Sequence, residues 1–169
     1  MKTLKYVLAV AAFVLVSGYT FGQASLGKGN KQVNAGVGLS GWGFPVYVGL
    51  DFGFNNDITI GGELSFASYR EKWNTVNYTH TIIGISGNGN YHFNRILNIP
   101  PNFDFYAGLS LGFYVWSSPS DYPGDHTSGL GVNGQIGGRY FIDKNLALNL
   151  EFGGGSAFSG GKFGVTYVF

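Results

Sequence analysis

Apolar and polar residues alternate at every second position in several separate stretches of the chain. In the clearest stretch, the apolar positions are Phe105, Ala107, Leu109, Leu111, Phe113 and Val115. Glycine, serine and tyrosine residues lie between them. The same alternation occurs over residues 46–54, 146–153 and 162–169. A period of two residues predicts β-strands that have one apolar face and one polar face.

Four weaker alternating segments bring the predicted number of strands to eight. They cover residues 32–40, 58–69, 76–93 and 129–141. Short turns are predicted at 54–57 and 142–145, and a longer link with two prolines at 94–102. The other links are residues 41–45, 70–75, 117–128 and 154–161. An even number of antiparallel strands places both chain ends on one side. Taken together, the eight segments and their links predict an all-β, up-and-down barrel.

The composition indicates which face of this barrel meets the solvent. Charged residues are only 11% of the chain, whereas a water-facing surface carries about 25–35%. The polar faces consist mainly of small side chains, which suit the narrow interior of an eight-stranded barrel. Aromatic residues lie at the ends of the apolar faces, as in the girdles of membrane barrels; they are Phe52, Phe54, Tyr91, Phe93, Tyr140, Phe152, Tyr167 and Phe169. We therefore expect the apolar face to point outward to lipid, the reverse of a soluble lipocalin-like barrel.

The N-terminal residues have the pattern of an export signal. Lys2 and Lys5 precede an uncharged apolar run at 6–16, and the small residues Gly22 and Ala24 follow. A membrane-spanning helix needs about 20 apolar residues, more than this run provides. We predict a signal peptide over residues 1–22, cleaved after Gly22 or Ala24, and a barrel domain over 23–169. An export signal places the chain beyond the inner membrane. There, a spanning structure without long apolar helices is a closed barrel.

The end of the chain carries the most specific resemblance. Phe163, Val165, Tyr167 and Phe169 alternate up to a terminal phenylalanine, which resembles the C-terminal assembly signature of outer-membrane β-barrels. The mature chain as a whole resembles the small eight-stranded barrels of the OmpA/OmpX type and the broad outer-membrane β-barrel domain family of Gram-negative bacteria. The stretch 137–152 is typical of that family's sixth and seventh strands. The resemblance implies an outer-membrane location, lipid contacts and a barrel-assembly machinery as partner during biogenesis.

Isolated charges lie on the polar faces that we expect to line the lumen. They are Asp51, Glu63, Arg139, Glu151 and Lys162. Counting from the turns places Asp51 and Arg139 low in the barrel and the other three higher. Glu151 and Lys162 are expected to face each other, with Arg139 within diagonal reach. Because unpaired buried charges are costly, we predict a network of salt bridges that fills the lumen; the alternative is a proton or ion path.

The sequence supplies little for metal or cofactor chemistry. The chain has no cysteine, which excludes disulfides, thiolate sites and a lipid-modified cysteine. His92 is expected near the periplasmic end, and His80 and His126 toward the outside, so no metal site shared by the histidines is predicted. Asp121 and Asp125 could offer carboxylates to calcium, although they lack EF-hand spacing. No cofactor is expected, and the net charge of +1 indicates no nucleic-acid partner.

An outer-membrane lipid hydrolase or acyltransferase is the enzyme alternative. It would need a nucleophile and a histidine base near the outer interface. The only close pair is His126 and Ser128, and the Arg-His-x-Ser-Asn motif of lipid-A deacylase barrels is missing. The sequence therefore predicts a protein that is not an enzyme.

Function is predicted only at a coarse level. We expect a monomer with a structural or adhesive role, which contacts an extracellular partner through loops around Trp42, Trp73, Tyr122 and Phe158. The main alternative is a porin-like narrow channel or conduit for small or hydrophobic molecules, because glycine on the polar faces fills little space.

Overall fold

Eight strands form a closed antiparallel barrel in which each strand pairs with its neighbours in the chain and β1 pairs with β8. The computed structural model describes residues 25–41, 43–124, 126–156 and 159–169. The strands are β1 (Lys31–Ser40), β2 (Val46–Gly53), β3 (Ile58–Trp73), β4 (Val76–His92), β5 (Phe103–Ser117), β6 (Gly129–Phe141), β7 (Leu146–Gly155) and β8 (Gly160–Val168). The predicted all-β, eight-stranded barrel is confirmed. The end that carries β1's start and β8's finish is called the lower end, and the opposite one the upper end.

The outer surface of the barrel is apolar, and the polar faces point inward. Leu109 is 66% exposed and Ile136 is 61% exposed. The inward residues Tyr106 and Gln135 on the same two strands are buried. The predicted orientation of the faces is therefore confirmed. Because water-soluble barrels keep their apolar side chains inside, this outer belt matches a hydrocarbon solvent.

The links between the strands differ from the predicted ones in three places. The segment 70–75 was predicted to be a loop, but β3 continues to Trp73 and β4 begins at Val76. Only Asn74 and Thr75 form the turn, and Asn74 has a φ of 54°, a left-handed conformation that asparagine tolerates. The link 94–102 contains a short helix, α1 (Asn94–Leu97), and the link 154–161 is shortened at both ends because β7 reaches Gly155 and β8 starts at Gly160. Long alternating strands therefore extend further than the turn residues indicated.

Inward tyrosines are accommodated by glycines on the neighbouring strand. Tyr106 pairs in register with Gly137, and a Cβ atom on Gly137 would overlap the ring of Tyr106. Tyr114 pairs with Gly84, where a Cβ would lie 2.9 Å from the ring. The narrow lumen thus holds large side chains because glycines leave room for them.

The first described residues pack against the lower end of the barrel. Ser25, Leu26 and Gly27 are buried, and the carbonyl oxygen of Gly27 lies against Gly53. Among the described residues, no helix is long and apolar enough to cross a membrane. The predicted signal peptide, residues 1–22, lies outside the described residues.

Candidate functional site

The lower lumen contains a buried arginine between two carboxylates. The Arg139 guanidinium donates to Asp104 Oδ2 at 2.7 Å, and its Nη2 lies 3.5 Å from Asp51 Oδ2. Asp51 Oδ2 also accepts hydrogen bonds of 2.8 Å from the side-chain amides of Gln32 and Asn34. The arginine and both carboxylates are at most 4% exposed. This arrangement neutralises charges that the strands place away from water.

Asp104 also belongs to a chain of hydrogen bonds with His92 and Thr59. The carboxylate only accepts, so His92 Nδ1 donates to Asp104 Oδ1 at 2.7 Å, and the Thr59 hydroxyl lies 3.0 Å from Nε2. The order hydroxyl, imidazole and carboxylate is that of a catalytic triad. However, all three residues are at most 1% exposed, and Arg139 binds the same carboxylate. These hydrogen-bonded residues therefore stabilise the barrel wall, and a substrate has no open approach to the Thr59 hydroxyl.

The middle of the lumen is organised around Lys162. Its ammonium group lies 2.7 and 2.8 Å from the two carboxylate oxygens of Glu63 and 3.3 Å from Glu151 Oε1. Glu151 and Lys162 face each other in the register of β7 and β8. The diagonal contact expected between Arg139 and Glu151 is replaced, because Arg139 turns toward Asp104 and Asp51. The Tyr106 hydroxyl donates to Glu151 Oε2 at 2.9 Å instead.

The space left inside the lumen is small. A cavity of about 40 Å³ lies on the upper side of Lys162, bordered by Ser65, Tyr114 and Asn133. Another of about 20 Å³ lies below, bordered by Asp51 and Arg139. A buried water needs roughly 10–15 Å³, so each cavity has room for only a few waters. Both border Glu63, Glu151 and Lys162, so these three side chains separate the cavities.

A second polar cluster lies at the upper end, inside the extended β3–β4 hairpin. Glu71 Oε2 lies 3.0 Å from His126 Nε2 and accepts a hydrogen bond of 3.0 Å from the Tyr122 hydroxyl. His80 Nε2 lies 3.7 Å from the same oxygen. The ring of Trp116 stacks on His126, with centroids 4.4 Å apart. We call Glu71, His80 and His126 the outer triad.

The outer triad lies beyond the apolar belt. On the outward face of β3, the belt ends at Phe66 and is followed by the exposed polar residues Ser68, Arg70 and Lys72. Hydrogen bonds from His126 and Tyr122 lower the pKa of Glu71, which stays ionised at neutral pH. Burial lowers the pKa of His80, so this ring is neutral.

The three histidines are divided between the two ends of the barrel. His92 lies at the lower end, as expected, whereas His80 and His126 meet at Glu71, a contact that the spacing of these residues did not indicate. Among the predicted loop aromatics, Trp73 is 44% exposed and Tyr122 is half-buried. Trp42, Asp125 and Phe158 lie outside the described residues.

Several solved structures with the same architecture are outer-membrane proteins. OprG of Pseudomonas aeruginosa has a TM-score of 0.67 at 9% identity, covering 87% of this chain and 99% of OprG. The N-terminal β-barrel domain of Pseudomonas aeruginosa OprF has a TM-score of 0.58 at 18% identity, covering 85% and 99%. Ail of Yersinia pestis, solved in a phospholipid nanodisc, has a TM-score of 0.54 at 13% identity, covering 84% and 100%.

The sequence itself has no recognised relative in two further comparisons. No protein-family model matches the chain, and no curated protein matches it. Similarity at these identities concerns the fold, while activity depends on the residues of a site. The chain has the fold of the small eight-stranded outer-membrane β-barrels.

Proposed function

We propose that this chain is an integral outer-membrane barrel with a side-chain-filled lumen and a surface-interaction role at its upper end. The observation that carries the first part is the layer formed by Glu63, Glu151 and Lys162, which separates two small cavities. The apolar belt and the fold shared with outer-membrane proteins support the location. A non-enzymatic role is supported by the enclosure of the hydrogen-bonded residues Thr59, His92 and Asp104.

The lumen favours a structural barrel over the alternative of a narrow channel. A conducting pore needs a continuous file of water, but paired side chains cross the lumen at the Lys162 layer and again at Arg139. A buried charge that loses its partner is strongly destabilised, because no water replaces the lost interaction. The paired side chains therefore stay in place across the lumen. Ser25, Leu26 and Gly27 are also buried against the lower end.

We expect the wild-type protein to show no steady ion conductance in a planar lipid bilayer. The physical reason is that an ion would have to displace Lys162 from both carboxylates. This would leave buried charges without partners, at a cost of several kcal/mol. The measurement is single-channel current after insertion of purified protein, with protein-free detergent solution as the control. A steady current through every inserted barrel would overturn the closed lumen and establish the channel.

The interaction surface is proposed for the tip of the β3–β4 hairpin. Arg70 and Lys72 point outward above the apolar belt, and Trp73 is 44% exposed at the turn. Adjacent cations suit an anionic partner such as a sulfated glycan. Ail, a structural neighbour at a TM-score of 0.50, has been crystallised with the heparin analogue sucrose octasulfate. That complex belongs to Ail and is the reason for choosing heparin as the probe here.

Charge reversal at the hairpin should weaken heparin binding. We expect the double substitution Arg70→Glu and Lys72→Glu to lower affinity for immobilised heparin by about tenfold, or about 1.4 kcal/mol. The wild-type affinity should also fall as salt rises, because exposed charges are screened. The measurement is surface plasmon resonance with barrels in nanodiscs made of zwitterionic lipid.

The matched control changes the same number of charges at the lower end. Lys28 and Lys144 are exposed there, and Lys28→Glu with Lys144→Glu should leave heparin binding unchanged. Equal weakening by both double variants would mean that net charge alone governs binding, and would refute the hairpin surface.

Three further expectations remain part of the proposal. Phe163, Val165, Tyr167 and Phe169 form the last outward-facing positions of the chain, where an assembly machinery can read them. Outer-membrane lipid is proposed to contact the belt, and the barrel is proposed to act as a monomer.

A further inference from the structure

We propose that the outer triad of Glu71, His80 and His126 binds a divalent transition-metal ion of the zinc type. The donor atoms of the three side chains all lie within 4.8 Å of one another. Two imidazole nitrogens and one carboxylate oxygen form a ligand set that is common for zinc, with a fourth position left for water.

The distances fit the replacement of a proton by a metal ion. Tetrahedral zinc with bonds of about 2.0–2.1 Å places its ligand atoms about 3.4 Å apart. Glu71 Oε2 lies 3.0 Å from His126 Nε2 and 3.7 Å from His80 Nε2. Small side-chain rotations would bring all three donors to one centre, where the metal takes the place of the Nε2 proton of His126 and the neutral ring keeps its proton on Nδ1 instead.

An independent observation on His80 points to the same ligand. The His80 side chain is 0% exposed, and its Nε2 atom is a buried polar atom without a hydrogen-bond partner. Buried polar atoms are almost always paired. This nitrogen lies on the side of Glu71 and His126, so a metal ion between them would satisfy it.

The surroundings orient the ligands as in metal sites. The Ser118 hydroxyl lies 2.9 Å from His80 Nδ1, which fixes the ring so that Nε2 can present its lone pair. Tyr122 donates to Glu71, and Trp116 stacks on His126. The Glu71 and His126 side chains are 27% and 23% exposed, so an ion can enter from the aqueous side.

The site joins two separate parts of the upper end. Glu71 and His80 belong to β3 and β4, whereas His126 lies in the long segment between β5 and β6. A bound ion would therefore fasten this segment to the hairpin. Calcium and magnesium prefer sets of oxygen ligands, which distinguishes this site from the calcium loop considered for Asp121 and Asp125.

The test is calorimetric titration of the detergent-solubilised protein with zinc chloride. We expect one zinc ion per chain, with no comparable binding of magnesium or calcium. Glu71→Gln, His80→Ala and His126→Ala should each weaken zinc binding by more than about 100-fold, beyond the ~10–100-fold typical of an outer-shell partner such as Ser118. Asp121→Asn, an exposed carboxylate in the same segment, is the matched control and should bind zinc normally.

A second readout separates metal binding from a folding defect. Zinc should slow proteolysis within residues 118–128 in the wild type and in Asp121→Asn, but not in Glu71→Gln, which is nearly isosteric. Far-ultraviolet circular dichroism verifies that each variant keeps its β-structure. Absence of zinc binding by the wild type, or undiminished binding by all three ligand variants, would refute the site.

Discussion

Replacing Arg139 with methionine is expected to lower the free energy of unfolding by about 3–5 kcal/mol, the usual cost of removing one partner of a buried ion pair. Asp51 and Asp104 would stay buried without their cation. Methionine keeps much of the side-chain volume, so the lost charge dominates the effect. The measurement is urea-induced unfolding of the barrel in phospholipid vesicles, followed by tryptophan fluorescence.

The control for this prediction is Arg70→Met, which removes an exposed arginine from the outward face of β3. We expect it to change the unfolding free energy by less than about 0.5 kcal/mol. Adding Asp104→Asn to Arg139→Met should restore part of the loss, because the double variant no longer buries that unpaired charge. Similar losses for Arg70→Met and Arg139→Met would show that the network at the lower end does not stabilise the barrel.

The fold was predictable from the sequence because the barrel imposes one rule on every strand. Alternation between lipid and lumen is a local pattern, and it fixed the eight strands and the outward orientation. The extent of the strands was less predictable: β3 continues through Arg70, Glu71 and Lys72, where charged residues resemble a loop. Above the belt, the outward face of β3 meets water and the inward face holds the polar Glu71, so alternation between polar and apolar residues disappears while strand pairing continues.

The lumen contacts were only partly predictable. Facing positions such as Glu151 and Lys162 follow from counting along one hairpin. Contacts across the barrel do not, because they depend on strand tilt and on which side chains reach past the axis. Lys162 thus meets Glu63, on a strand that is not its neighbour. Asp104 was missed, although the alternation of Phe103 and Phe105 already placed it on the inward face.

The outer triad illustrates the same difficulty at the upper end. Its members come from two paired strands and a long connecting segment, which has no alternation to locate it. In the sequence, β4, α1 and β5 all lie between Glu71 and His126, whereas the fold of the segment brings their side chains to 3.0 Å. The pairing of β3 with β4 placed only Glu71 and His80 near each other in advance.

Replacing Lys162 with methionine should produce the other large loss of stability, again about 3–5 kcal/mol. Two carboxylates, Glu63 and Glu151, would then lie in the lumen without a cation. The exposed residue Lys72 provides the matched control, and Lys72→Met should be nearly neutral. Both variants are compared with the wild type by urea-induced unfolding in phospholipid vesicles.

Double-mutant cycles then divide the effect between the two carboxylates. Glu63→Gln and Glu151→Gln are each combined with Lys162→Met, and the coupling free energy is read from each cycle. We expect about 2–3 kcal/mol for Glu63, whose two oxygens both lie within 2.8 Å of the ammonium. The coupling to Glu151 should be smaller, because its contact is 3.3 Å and Tyr106 also holds this carboxylate. Couplings indistinguishable from zero in both cycles would show that Lys162 does not pair with either carboxylate, and the layer that closes the lumen would lose its physical basis.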